Sequence, residues 1–354
     1  MANWYCSRES VKRAGAVNGT LFDNQVDRII EATSRSIDKI VRRGSKPGRA
    51  TFIPSTETRL YRWPRPHTTR SWILWLDGDL LSVTTLHKKA QDSSPVTISS
   101  DDFFLEPNNF GPPYNRIEID QSSSAAYEAG DTAQRSISVT GSWGYSKDTV
   151  SCGTIVSGLA SSTTATTMVC SDGSVVNVGD TLLDLSEQMF VSERSFAALD
   201  SVLINDASVT QNMSNTSITL DGSHGVVAGE NIRLDSEQLF VESVSTNVLT
   251  VIRAFNGSTL AAHSDDTAVH INRTLTIERG INGTTAVTHP NSTAMTKYEP
   301  PFDITQLCVA ETLRSLGQEN EMWNRTAGQI RGQVLDQMTD DIKSRYQRLR
   351  EAAV

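Results

Sequence analysis

Cysteine is scarce in this sequence and never sits at a ligand spacing. Cys6, Cys152, Cys170 and Cys308 are scattered and no CxxC occurs, which excludes a zinc knuckle. They read as free thiols of a reducing compartment, and nothing in the spacing supports a Cys152–Cys170 bridge. Long apolar runs are missing too. No stretch reaches the roughly 18 residues of a membrane-spanning helix, and the start, MANWYCSRESVKR, lacks the apolar centre of a signal peptide. The expectation is a soluble chain made in a cytoplasm, with no membrane contact. Positive charge is in deficit: 32 Lys and Arg stand against 41 Asp and Glu, a formal net charge of −9. A chain-wide basic footprint for nucleic acid is thereby excluded.

Catalytic and metal signatures are equally thin. No GxSxG elbow accompanies the many serines. Asp77-Gly78-Asp79 lacks the remaining ligands of a calcium loop and reads as a turn. His224 and His270 have no partner at a ligand spacing. The run Arg59, Arg62, Arg65 and Arg70, interleaved with Tyr61, Trp63 and Trp72, is the best nucleic-acid-like patch. A solvated or subunit-interface loop explains it more simply. No catalytic residue, cofactor or metal site is expected, and the chain is read as not an enzyme.

What remains is enough to fold. The 354 residues, 38% of them hydrophobic, allow two or three domains at about 150 residues each. Asp23 can cap a helix carrying Val26, Ile29, Ile30, Ile37, Ile40 and Val41 on one face, with Gly44 just past its end. From residue 70 the period becomes two. Strands are expected at 72–76 and 80–86, separated by the Asp-Gly-Asp turn, then at 96–98, 116–120 and 136–140. Past 298, Pro300-Pro301 makes a stiff hinge. Asp303 can cap a helix with Ile304, Leu307, Cys308 and Leu316 on one side. Trp323 then leads into an amphipathic stretch with Ile330, Val334, Met338, Ile342, Tyr346 and Leu349 spaced by fours and a three.

Between about 150 and 298 the composition turns to Ser, Thr, Asn and Gly, and a hexapeptide recurs. SEQMFV at 186–191 returns as SEQLFV at 236–241, fifty positions on. Arg253, Asn256-Gly257 and His263 match Arg279, Asn282-Gly283 and His289, but only twenty-six positions on. Unequal offsets exclude a simple tandem. The economical order nests one β module in a loop of its twin, with an interleaved exchange of halves as the alternative. Glu187 and Glu237, like His263 and His289, then read as structural residues used twice rather than as an acid–base pair or a shared ligand site. The division is 1–149, an inserted β domain at 150–298, and 299–354. Within the insert, an outer module covers about 163–205 with 272–298, and a nested module about 206–271.

Outside the insert the residues are familiar. Val11-Lys12-Arg13-Ala14, Asp27-Arg28-Ile29-Ile30-Glu31-Ala32, Tyr61-Arg62-Trp63-Pro64, the stretch Asp79 to Leu86, Leu105-Glu106-Pro107, Pro113-Tyr114 and the stretch Ser138 to Ser146 occur in that order. Together they resemble the head–tail connector (adaptor) proteins of tailed bacteriophages. The resemblance covers the chain on both sides of the insert and leaves the insert unexplained. It implies an α+β fold: a helical connector core with a small antiparallel sheet, here carrying an inserted all-β domain of two nested related β modules.

It further implies a structural virion protein at the neck, made in the host bacterial cytoplasm. Twelve copies would ring the channel beneath the portal protein and dock the tail, stopper or nozzle. DNA would pass through the lumen without specific binding. The terminal helix, from Trp323 through Ile330, Val334, Met338, Ile342 and Tyr346 to Leu349, is the candidate portal or oligomer interface. An alternative reading makes the β repeats a carbohydrate- or receptor-binding module of a tail or fibre.

Overall fold

The computed structural model describes residues 3–41, 52–64, 70–205, 209–320 and 328–346. Strand accounts for 38% of the chain and helix for 21%. The fold is therefore predominantly β, and the expectation of a helical connector core bearing a small sheet is overturned. None of the described helices is long and apolar enough to cross a membrane.

Among the described residues four helices form one layer: α1 (Arg8–Ala14), α2 (Asp23–Val41), α3 (Phe302–Asn320) and α4 (Gly328–Tyr346). Ser7 caps α1 by accepting from the Ser10 N–H. On α2, Val26, Ile29, Ile30, Ile37 and Val41 are buried, and Ile40 is half-buried at the side of the stripe. The turn between them is filled by Thr33 and Ser34, and the Ser34 hydroxyl accepts from the Tyr5 N–H while donating to Ile30 O.

This layer does not own its core. Val178, Phe190 and Ile281, all from the 150–298 region, complete the cluster that holds Ile30, Ile304 and Leu307. Trp4 meets Phe190 edge to face at 5.3 Å, and Phe52 meets Tyr5, Tyr145 and Tyr346 in the same manner at 5.4–5.5 Å. The apolar faces predicted for α2 and α3 are thus real, but they cap a β structure instead of forming an independent bundle.

Among the described residues a six-stranded antiparallel sheet follows: β1 (Ser55–Tyr61), β2 (Ile73–Lys88), β3 (Val96–Ile98), β4 (Phe103–Glu106), β5 (Tyr114–Ile119) and β6 (Ile137–Trp143). The order is β1-β6-β2-β5-β4, with β3 against the end of β2. Tyr61, Leu74, Leu80, Ile117, Val139 and Trp143 are central to its core. Asp77-Gly78-Asp79 is not a turn. β2 runs through it as one 16-residue strand, with a register shift against β5 between Trp75 and Leu80. The cause lies across the sheet. Arg59 of β1 lies against the Gly78 Cα where a Cβ would stand, bonds Asp77 at 3.1 Å, and covers the Trp143 ring at 3.9 Å. Glycine admits that guanidinium, and the extra length appears as a bulge.

The remaining ten strands are β7 (Thr149–Ser157), β8 (Thr167–Cys170), β9 (Thr181–Asp184), β10 (Glu187–Leu203), β11 (Ser217–Thr219), β12 (Asn231–Leu234), β13 (Glu237–Ser245), β14 (Val248–Ile252), β15 (Ala268–Glu278) and β16 (Ala294–Tyr298). They form one antiparallel sheet that closes twice. The first half of β10 pairs with β9 and with the second half of β15. From β9 the ring continues through β16, β7 and β8 back to β15. In the second ring β13 pairs with β12 and β14, β12 with the first half of β15, and that half with the second half of β10. Strand β11 pairs with β14, and the Ile204–Leu220 bridge with Asn205 N–H to Thr219 O at 2.9 Å closes it.

The two rings have the same connectivity. β7, β8, β9, early β10, late β15 and β16 of the first correspond to late β10, β11, β12, β13, β14 and early β15 of the second. Both are six-stranded barrels, and the long strands β10 and β15 belong to both. Their interiors are packed solid at matching positions. Leu182, Met189 and Val191 fill the first as Ile232, Leu239 and Val241 fill the second, all at 0% exposure. Every residue of the second barrel lies between the two halves of the first in sequence, and its first strand begins upstream of residue 206, inside β10.

This equivalence makes the second barrel removable. In it, Ser245 and Val248 pair across the turn Thr246-Asn247. Ser195 and Thr274 pair at the corresponding place in the first barrel. Replacing residues 196–273 by Thr-Asn is expected to leave a protein with β-type circular dichroism and one cooperative urea transition. A broad, non-cooperative transition would show that the first barrel cannot stand without the second.

Candidate functional site

The repeated hexapeptide places a carboxylate at the same spot in each barrel. Glu187 opens β10 and Glu237 opens β13, each just after a turn with positive φ, at Leu185 and at Asp235. In the second barrel Arg253 Nε and Nη2 donate to the two oxygens of Glu237 at 2.7 and 2.8 Å. The Ala254 and Ala261 N–H groups donate at 2.9 and 3.0 Å, and His263 Nε2 at 3.0 Å. The first barrel repeats this with Arg279 at 2.6 and 2.7 Å, Gly280 and Val287 N–H at 3.1 and 2.9 Å, and His289 at 2.8 Å. The pairs therefore join 187 to 279 and 237 to 253, one inside the other along the chain.

Each arginine spends its other protons on loop carbonyls. Arg253 Nη1 reaches Thr210 O and Asn215 O, both at 3.2 Å, while Arg279 Nη1 reaches Ser162 O and Ala165 O, both at 3.3 Å. The loops share a backbone as well: Ala254, Asn256 and Gly257 have positive φ, as do Gly280, Asn282 and Gly283. Ser258 and Thr284 hydroxyls accept from the Gln238 and Gln188 N–H groups at 2.9 and 3.0 Å. Even the far side of the histidine is matched. His289 Nδ1 lies 2.6 Å from Asp184, and His263 Nδ1 lies 2.8 Å from Asp235, although these aspartates occupy positions one residue out of step in the repeat.

Electrostatically this is a sealed device. Burial opposes the charged form of Glu237, but Arg253, the Ala261 and Ala254 N–H groups and His263 outweigh it and hold the carboxyl at about 2. Burial likewise opposes, and Arg279, the Val287 N–H and His289 overcome, at Glu187, also about 2. Asp184 goes the other way, raised chiefly by burial. Both glutamates are at 0% exposure and their histidines at 3% or less. The constellation contains an acid, a base and a guanidinium but offers no surface to a substrate. It is a staple that fixes three chain segments to one strand end.

The other residues singled out from the sequence are dispersed. His224 accepts the Val226 N–H at 3.0 Å, and His270 lies on β15 opposite Arg233. Arg59 is committed to Glu57 and Asp77, Arg62 and Arg70 are exposed, and Arg65 lies outside the described residues. All four cysteines are buried and free; Cys152 and Cys170 sit inside the first barrel, and Cys6 and Cys308 have sulfurs 3.2 Å apart.

Of the candidate interface row, Trp323 and Leu349 lie outside the described residues. Ile330 and Val334 fall on α4, but their side chains are likewise outside. Ile342 and Tyr346 are buried in the helical layer and Met338 packs beside them. Tyr346 donates to Asp303 at 2.9 Å, and Arg345 pairs with the same carboxylate at 2.6 Å. The described part of the row, Met338, Ile342 and Tyr346, is thus engaged within the chain. A groove of about 590 Å³ opens between α2, α3 and α4, bordered by Arg28, Ile40, Glu311, Arg314 and Asp336.

Comparisons with protein-family models, with curated proteins and with solved structures find no match to this chain.

The staples make two expectations. Glu237→Ala leaves Arg253 charged, buried and unpaired, so a loss of about 3–5 kcal/mol is expected by urea denaturation. A loss below about 1 kcal/mol would mean the carboxylate is peripheral. Because both glutamates are held below their ordinary value of 4.5, the stability they contribute is present above about 4.5 and drains as pH falls toward about 2. Thermal midpoints should drop across that interval, and the fall should flatten in a Glu187→Gln, Glu237→Gln double variant.

Proposed function

We propose that the chain is a structural protein of a tailed-bacteriophage particle, a head–tail adaptor that rings the DNA channel beneath the portal. One observation carries the reading. The motif residues are scattered from position 11 to 146, yet they gather into two adjoining cores and contribute nothing to either barrel interior. Tyr61, Trp63, Leu80, Leu86, Val139 and Trp143 meet in the six-stranded sheet, while Val11, Ile29, Ile30 and Tyr145 meet in the helical layer. The part that resembles an adaptor therefore builds the helical layer and the six-stranded sheet, and the helical layer is completed by Val178, Phe190 and Ile281 of the insert.

The barrels support a mechanical role. Their interiors are packed, and their charged clusters are consumed in holding loops. A net charge of −9 per copy, repeated around a ring, makes a wall that does not retain DNA, because few phosphates are neutralised and few counterions released. The ring comprises about twelve copies, contacts the portal on one side and the tail, stopper or nozzle on the other, and carries its barrels outward. Of the row proposed for the portal or oligomer contact, Met338, Ile342 and Tyr346 pack within the helical layer, and the exposed Asp336, Asp340 and Arg345 of the same helix can add polar contacts.

Electron microscopy of intact virions, with the chain located by a labelled antibody fragment, tests the proposal. Density for a ring at the portal vertex is the expected result. Label confined to fibre tips, or absent from the particle, would refute it.

A further inference from the structure

Lys12, Asp23 and Asn256 converge where the N-terminal helices touch the second barrel. Lys12 Nζ donates to Asp23 Oδ1 at 2.7 Å, to Asn256 Oδ1 at 2.8 Å and to Gly19 O at 2.7 Å. The lysine side chain is 12% exposed and the aspartate 18%, so little water separates them. The neighbouring groups hold this arrangement. Arg8 Nη1 lies 3.8 Å from the other oxygen of Asp23, and the Asn256 amide nitrogen points to Gln238 Oε1 at 3.4 Å. Asn256 is fixed in the left-handed region at φ 53, in the turn that the staple of Arg253 anchors. The twin residue Asn282 faces Asn3 and Gln188 instead of a lysine, so the constellation belongs to the second barrel alone.

An amine nucleophile, a carboxylate able to take its proton and a carboxamide carbon are the three parts of an amide-forming reaction. Lysine is a competent nucleophile once deprotonated beside a base. The 2.8 Å contact of Lys12 Nζ with Asn256 Oδ1 keeps the amine beside the carboxamide, so attack on Cγ is an intramolecular step that needs no encounter. We propose that Lys12 and Asn256 form an intramolecular isopeptide bond, with Asp23 as the proton acceptor.

The ammonium of Lys12 passes a proton to Asp23, and the neutral amine attacks Asn256 Cγ. The bond from Cγ to Nδ2 then breaks as Nδ2 takes up the protons released by Lys12 Nζ and Asp23. The products are a neutral secondary amide, ionised Asp23 and one ammonium ion. No oxidant or cofactor is consumed. The bond would tie α1 to a loop 244 residues away, clamping the helical layer to the barrel that shares β10 and β15 with the first.

Intact-mass spectrometry of the purified full-length protein reads the reaction directly. The expected result is a mass lower than the sequence mass by one ammonia, with a tryptic peptide pair joined through Lys12 and Asn256. Lys12→Arg keeps the charge and should restore the full mass. Asp23→Asn should slow the loss measured over time after refolding, while circular dichroism reports that both variants are folded. A full sequence mass in the wild type overturns the proposal. So does an ammonia loss that persists in Lys12→Arg, because it would be a succinimide formed by Asn256 with the Gly257 nitrogen. A time course unchanged in Asp23→Asn would overturn the role of Asp23.

Discussion

The fully buried carboxylate at each barrel's strand end is the constraint on which the insert depends. Glu187 and Glu237 each accept two arginine hydrogen bonds, two backbone N–H groups and a histidine. An ion pair in this setting is not chiefly a source of net stability, since desolvation offsets much of the attraction. It selects. A carboxylate with every lone pair engaged tolerates one arrangement of the loops around it, and any slip in register leaves buried donors unpaired. The loop that follows each arginine threads back to the same glutamate through Ala261 or Val287, then through His263 or His289. One short hexapeptide thereby organises about thirty residues of otherwise irregular Ser- and Thr-rich chain.

With the loops fixed, the topology follows. The first barrel can accept a whole second barrel between its fourth and fifth strands because those strands form a hairpin whose ends already lie side by side. Extending both strands instead of turning gives β10 and β15, and the extension supplies the first and last strands of the second barrel. Sharing two strands joins the barrels by continuous hydrogen bonding rather than by a flexible linker. The helical layer then completes its own core with Val178, Phe190 and Ile281, so helices and barrels share packed side chains.

Much of this was legible in the sequence, and unevenly so. The hexapeptide, the Asn-Gly turns and the two histidines recur because every one of them is needed to complete a staple, and the unequal offsets pointed to nesting. The arginines were visible as repeats, but their pairing with the glutamates was not anticipated, because no local pattern announces a contact between residues 92 positions apart. The double closure was hidden for a related reason: β10 crosses the boundary between the two copies, and its bulges break the alternation that would have revealed one 17-residue strand. Asp77-Gly78-Asp79 carried every local mark of a turn, and only Arg59, arriving from another strand, makes it a bulge. Finally, the apolar row of α2 was read correctly as a stripe, yet a stripe does not say what covers it. The cover is partly β, which is why a helical connector core was expected and a β-rich body was found.

A pair of double-mutant cycles tests the central claim most directly. One cycle combines Glu187→Gln with Arg279→Met, and the other combines Glu187→Gln with Arg253→Met, each read by urea denaturation. Nested staples predict a coupling of about 1–3 kcal/mol in the first and additivity within about 0.5 kcal/mol in the second. Coupling that appeared between Glu187 and Arg253 instead would mean that the halves are exchanged between the barrels, and the architecture described here would be wrong.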